Sequence, residues 1–199
     1  MFEEALRYLF QEDDYLRTLL IGTLLILLSP LVIPLFILAG YVVRAIQHAN
    51  QGKSLPEFEN YTGLLVDGLK LTAVFLVYLL GFVALMFLTT LLGSIDEILG
   101  LLMFWIIAPI YFGLFYVTPS IVYHFSKERS IRDGLKVTSV VGSAFSIHYL
   151  KVFLLLIGVY LVFSIAQGLL IVTLIGILAV PFTLFYELTV NAKLISEIE

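Results

Sequence analysis

Long apolar stretches separated by short charged ones organise this chain. No Asp, Glu, Lys or Arg occurs in Thr18–Val43, Leu71–Ile95, Ile98–Ser126 or Val152–Tyr186. About 20 apolar residues in a helix cross a hydrocarbon layer of roughly 30 Å. The first three runs are each long enough for one crossing. The fourth has 35 residues and carries a polar break at Ser164, Gln167 and Gly168, so it reads as two. The pattern predicts an all-α, polytopic helical membrane protein with about five transmembrane helices, near residues 18–46, 70–93, 97–125, 150–168 and 172–195.

Residues 1–17 form a separate amphipathic segment ahead of a single membrane domain, 18–199. Phe2, Leu6, Leu9 and Phe10 recur at helical spacing opposite Glu3, Glu4 and Arg7, the pattern of a short helix lying in the interface. With five acids, and no small-residue cleavage site, it does not resemble a secretory signal.

Local signals predict the turns. Gly93 would end the second span in the left-handed conformation, and Ser94 with Glu97 has the spacing of a capping box that opens the third. Ser130 and Asp133 repeat that signature at the second charged loop. Pro30, Pro34, Pro109, Pro119 and Pro181 fall inside the spans, where each removes a helix hydrogen bond and predicts a kink. A second reading of residues 19–46 is a re-entrant hairpin turning at Ser29 and Pro30.

The basic residues orient the chain. With five spans, nine of the eleven Lys and Arg lie in the loops 44–70 and 127–151 and the C-terminal tail, against Arg7 and Arg17 on the other side. That bias places the long loops and the C-terminus in the cytoplasm of a cell-membrane protein. Under the re-entrant reading all eleven share one side.

Asp67-Gly68-Leu69-Lys70-Leu71-Thr72 recurs as Asp133-Gly134-Leu135-Lys136-Val137-Thr138. Pro34 stands seven residues before Tyr41, as Pro109 does before Tyr116. This suggests a parallel tandem repeat with units 18–93 and 97–168, followed by a final helix, 172–195. Asp67 with Lys70, and Asp133 with Lys136, are spaced to meet on one helix face. Phe58, Tyr61, Leu65 and Leu69 make an apolar stripe beside the first pair. Arg44, Asp67, Lys70, Arg132, Asp133 and Lys136 are therefore the candidate headgroup and interfacial residues, acting either as snorkelling anchors or as sites for lipid phosphate.

Leu20-Ile21-Gly22, Leu28-Ser29, Ile33-Pro34, Gly40-Tyr41 with Arg44, Leu55-Pro56 with Phe58, and Val66-Asp67-Gly68-Leu69-Lys70 resemble the signature of an uncharacterised, mainly archaeal prokaryotic family, domain of unknown function 4013. The likeness is densest over residues 1–80 and continues at Pro181, Tyr186 and Ala192–Leu194. Tyr61 departs from it, standing where the family has Trp. The resemblance implies a multi-pass membrane protein and no particular activity.

Composition removes most chemistry. The chain is 61% apolar and 13% charged, and it has no Cys and three His. Thiolate sites and cysteine nucleophiles are excluded, and a His-based metal site is not expected. A net charge of −4 argues against nucleic acid. No phosphate-binding loop or dinucleotide fingerprint is present. Ser143 and Ser146 precede His148 too closely in sequence to share a helix face as nucleophile and base, so no enzyme and no cofactor are expected. His124, close before Lys127, reads as interfacial, and so does Glu187. Two functions remain. One is a helical module that binds membrane lipid, a protein partner or a second copy, with Gly81, Gly93, Gly158 and Gly176 allowing close helix contact. The other is a facilitative transporter or channel whose path is lined by Ser164, Gln167, Thr89, Thr90, Thr173 and Thr183.

Overall fold

The computed structural model describes residues 1–12 and 14–198, and the side chains of these except at 174 and 175. Among the described residues nine α-helices follow in order: α1 Phe2–Arg7, α2 Tyr15–Leu27, α3 Ile33–Asn50, α4 Tyr61–Ile95, α5 Glu97–Glu128, α6 Ile131–Gly134, α7 Val137–Ala144, α8 Ile147–Ile171 and α9 Leu174–Ser196. Among the described residues there is no strand. Four helices are long and apolar enough to cross a membrane, over Tyr61–Ile95, Glu97–Glu128, Ile147–Ile171 and Gly176–Ser196. The protein is an all-α, polytopic membrane protein.

The first apolar run is not the single span expected over 18–46. α2, of 13 residues, is about 20 Å long at about 1.5 Å per residue. It ends against a 3-10 turn at Ser29–Leu31. Pro30 has no N–H to continue α2, whereas Pro34 sits in the first turn of α3, where a missing N–H costs nothing. Between them Val32 takes φ 67°, ψ −48°. The chain then returns: Arg17 and Asp14 at the start of α2 border a small cavity with Glu57 and Phe58, and Gln47 near the end of α3 donates to the Lys127 carbonyl at 3.0 Å. The re-entrant reading is the one the fold adopts, so among the described residues four helices rather than five are long and apolar enough to cross. Pro30 and Pro34 build a turn instead of kinks. Pro109 and Pro119 do lie inside α5, and Pro181 inside α9.

Two hairpins, α4–α5 and α8–α9, stand around this re-entrant pair. In the first, α4 runs through Gly93 to Ile95, and Asp96 rather than Ser94 caps α5, accepting from the N–H groups of Ile98 and Leu99 at 2.8 and 3.2 Å. Ser94 turns back to the Leu91 carbonyl. Gly93 has no positive φ. Its use is contact, because a Cβ on Gly100 would meet the Gly93 backbone at 2.6 Å. In the second hairpin α8 continues through Ser164–Gly168, and Thr173 caps α9, accepting from the Gly176 N–H at 2.9 Å.

The core lies at the end of the bundle that carries the charged loops. Tyr41 and Phe58 stack at 4.0 Å with Phe185 tilted against both. Gly22 leaves the room that Phe185 fills, since a Cβ there would fall on its ring. α3 and α4 cross backbone to backbone: a Cβ on Gly40 would strike the Leu64 carbonyl and one on Gly68 the Phe36 carbonyl. Of the four expected to allow close contact, Gly93 does so against Gly100 in the first hairpin, whereas Gly81 and Gly158 have nothing within 4 Å of an added Cβ and Gly176 meets Leu170 and Thr173 of its own turn. The N-terminal segment is docked rather than afloat, because Ala5, Tyr8 and Leu9 are buried. Toward the other end, large apolar side chains such as Leu80, Phe87, Trp105, Phe112 and Leu169 face outward, as a lipid-facing surface requires.

Candidate functional site

Asn60 opens α4 in the left-handed conformation, its side chain accepting from the Gly63 N–H at 3.0 Å. This cap aims the next two turns of α4 at the end of α3. Leu64, Asp67, Gly68, Leu71 and Val74 form the buried face. The apolar stripe read beside the first pair is divided: Phe58 is in the core, whereas Tyr61 and Leu69 face outward.

Asp67, only 5% exposed, does not pair with Lys70. Arg44 Nε donates to its Oδ2 at 2.9 Å, and Arg129 Nη1 reaches the same oxygen at 3.4 Å. One carboxylate thus ties α3, α4 and the end of α5 together. Gly63 leaves room beside it for the Arg44 guanidinium, which an added Cβ would push aside. Lys70 makes no ion pair among the described residues. A surface cleft of about 530 Å³ opens over this group, bordered by Arg44, Lys70, Arg129, Asp67 and Glu128. Three cations against two carboxylates leave one positive charge for a ligand.

The second Asp-Gly-Leu-Lys segment has a different setting. Asp133 accepts from Lys136 at 2.6 Å as the spacing suggests, and this bond holds the Asp133 carboxyl below its ordinary range. The motif, however, closes the four-residue α6 and leads into α7, with Lys136 preceding its first turn, whereas the first copy lies inside the continuous α4. Gly134 packs on Val74 and Phe125, and its carbonyl accepts from Tyr78 at 3.0 Å. Arg132 and Asp133 are not gathered into the cleft around Asp67.

Three groups were not legible as partners in the sequence. His124 Nε2 and Ser143 Oγ lie 3.0 Å apart, and Ser143 Oγ lies 2.7 Å from Ser120 Oγ. Ser143 and Ser120 also donate to the Val140 carbonyl, at 3.2 and 2.8 Å, which makes the cluster a clamp between α5 and α7. Beside it His148 Nε2 meets the Glu197 carbonyl at 2.5 Å. His48 Nδ1 lies 3.2 Å from the Ser54 carbonyl. Burial pushes its pKa down, further lowered by Lys53, Arg44 and Arg129 and opposed by that hydrogen bond.

Of the polar residues expected to line a path, Thr89, Thr90 and Thr183 bond back to carbonyls of their own helices, and Thr173 to that of Leu170. Only Ser164 and Gln167 share a cavity. They do so with Glu187, whose Oε2 accepts from Gln167 Nε2 at 3.0 Å.

Residues 23–175 match the family model described as Protein of unknown function (DUF4013). No curated protein and no solved structure matches the chain. The family match takes in the end of α2, all of α3, the helices α4 to α8 up to the start of α9, and the cleft over Arg44, Asp67, Lys70 and Arg129. It covers most of the chain, which therefore belongs to the DUF4013 family of proteins of unknown function.

Proposed function

We propose that this protein is a non-enzymatic membrane module that holds a phosphate-bearing anionic lipid headgroup in the cleft formed by Arg44, Lys70 and Arg129. The observation that carries the reading is Lys70. It stands half-buried at the cleft with no carboxylate partner among the described residues, beside two arginines that already share Asp67. A phosphate there completes the charge balance, with the arginines supplying directed donors and Lys70 a point charge.

The setting fits. The re-entrant fold puts all eleven basic residues at the loop end, and Asp96 and Glu97 are the charges of the opposite turn. By the positive-inside bias the loop end faces the cytoplasm, where anionic lipids attract such clusters. The protein then sits in the cell membrane with its N-terminus, both loops and C-terminus cytoplasmic. Held between α3, α4 and α5, a headgroup would report on the hairpin to any protein partner or second copy docked at that end.

The test is lipid retention by the purified full-length protein in an uncharged detergent, read by native mass spectrometry. Phosphatidylglycerol should be retained over phosphatidylcholine, and a Lys70→Ala, Arg129→Gln double variant should lose about tenfold in retention. Equal retention of the two lipids by the wild type would sink the proposal.

A further inference from the structure

A second site lies away from the charged end. A cleft of about 480 Å³ opens between the re-entrant pair and the α8–α9 hairpin, and its polar lining is Ser29, Tyr160, Ser164, Gln167, Glu187 and Asn191. Its depth follows from α8. Gln167 is sixteen residues past Lys151, the last basic residue on that helix, about 24 Å at about 1.5 Å per residue. Gln167 thus lies toward the far side of a hydrocarbon layer of roughly 30 Å, while Glu187, which it meets, is six residues, about 9 Å, from Lys193 along α9.

Glu187 has no cationic partner among the described residues. The nearest base on its own helix, Lys193, is engaged by Glu197. Asn191 Oδ1, one turn along, is buried without a hydrogen-bond partner among the described residues. The hydroxyls of Ser29 and Ser164 make no hydrogen bond among the described residues either. Ser29 belongs to the turn in which Val32 holds φ 67°. Strained backbone breaks of this kind persist where surrounding structure holds them, and membrane proteins use them to line ion sites.

We propose that Glu187, Asn191 and Gln167, with the hydroxyls of Ser29 and Ser164, bind one monovalent alkali cation at the tip of the re-entrant hairpin. The donors are all hard oxygens, as an alkali cation needs. One carboxylate balances one charge, whereas a divalent ion would leave a positive charge uncompensated at membrane depth. A proton on Glu187 would neutralise the carboxylate but leave the Asn191 carbonyl oxygen orphaned, which a cation does not. The inference stands apart from the headgroup reading, since no residue is shared.

The experiment is thermal unfolding of the full-length protein in uncharged detergent at pH 8. Sodium or potassium chloride is exchanged for N-methylglucamine chloride at constant ionic strength, with parallel equilibrium dialysis of radioactive sodium. The melting temperature should rise saturably, by roughly 5–10 °C at about 100-fold excess over the dissociation constant, with one ion bound per chain. Glu187→Gln keeps the bond to Gln167 and should abolish both the shift and the binding. Asn191→Leu should weaken binding at least tenfold, and it carries the test if Glu187→Gln fails to fold. Lys70→Ala should leave the shift unchanged. A wild type indifferent to the cation, a melting temperature that moves with pH alone, or a full shift in Glu187→Gln would each overturn the proposal.

Discussion

The Tyr8 hydroxyl donates to the Ala45 carbonyl across 3.1 Å, which pins the N-terminal helix to the returning limb of the re-entrant pair. Tyr186 adds a bond at 2.7 Å from its hydroxyl to the Leu6 carbonyl. Neither contact is possible if residues 18–46 cross the membrane once. Because the chain has no Cys, single cysteines report topology directly. Glu3→Cys and Lys53→Cys should react with an impermeant maleimide from one side of sealed vesicles, and Ser94→Cys from the other. Labelling of positions 3 and 94 from the same side would refute the hairpin.

The crossing of α3 and α4 depends on Gly40 and Gly68. At each, an added methyl meets backbone rather than a movable side chain. Gly40→Ala or Gly68→Ala should cost about 1–3 kcal/mol, read as a lower unfolding temperature in detergent. Gly158→Ala, where the space is open, should be neutral or slightly stabilising. Equal effects at all three would contradict the packing described.

Removing the Asp67 carboxylate leaves Arg44, largely buried, without its anion. Asp67→Ala should destabilise by roughly 2–4 kcal/mol, and Lys136→Ala, at the exposed Asp133 pair, by less than about 1 kcal/mol. Chemical unfolding of both variants decides the order. Asp67→Ala should also loosen the link from α3 to the end of α5, seen as faster amide exchange over residues 44–50.

His48 supplies a pH dependence. Its pKa is lowered in the fold by burial first and then by neighbouring cations, so the unfolded chain binds the proton more readily. Stability from this group is complete above the ordinary value near 6.5 and is lost as pH falls through the depressed one. Unfolding temperature should drop on acidification below about pH 6.5, and His48→Gln should flatten that part of the profile. An unchanged slope in the variant would remove His48 as the cause.

At the hairpin tip Val32 is a β-branched residue at φ 67°. Val32→Gly relieves that conformation and should stabilise by about 1 kcal/mol, unless the side chain's own contacts in lipid offset the gain. A loss above about 1 kcal/mol in thermal unfolding would show that the side chain, not the backbone, governs the turn.

The spacing of charges determined the membrane class and the two outer hairpins, because each follows from transfer free energy along one dimension of the chain; the side on which Arg7 and Arg17 lie was decided by the re-entrant turn. Pro30 and Pro34 carried more than hydropathy did: one stops a helix and the other starts one, four residues apart, and together they spell the turn that an uninterrupted apolar run conceals. Pairing was beyond that one-dimensional signal. Asp67 meets Arg44 and Arg129 rather than Lys70 because α3 and the end of α5 pack over the face that Asp67 shares with Gly68, and such a face is chosen by shape in three dimensions. Likewise Glu187 sits next to the last apolar run in the sequence, where it reads as a boundary residue. Only the offset packing of α8 on α9 lays its carboxylate against Gln167, some sixteen residues deep along the neighbouring helix.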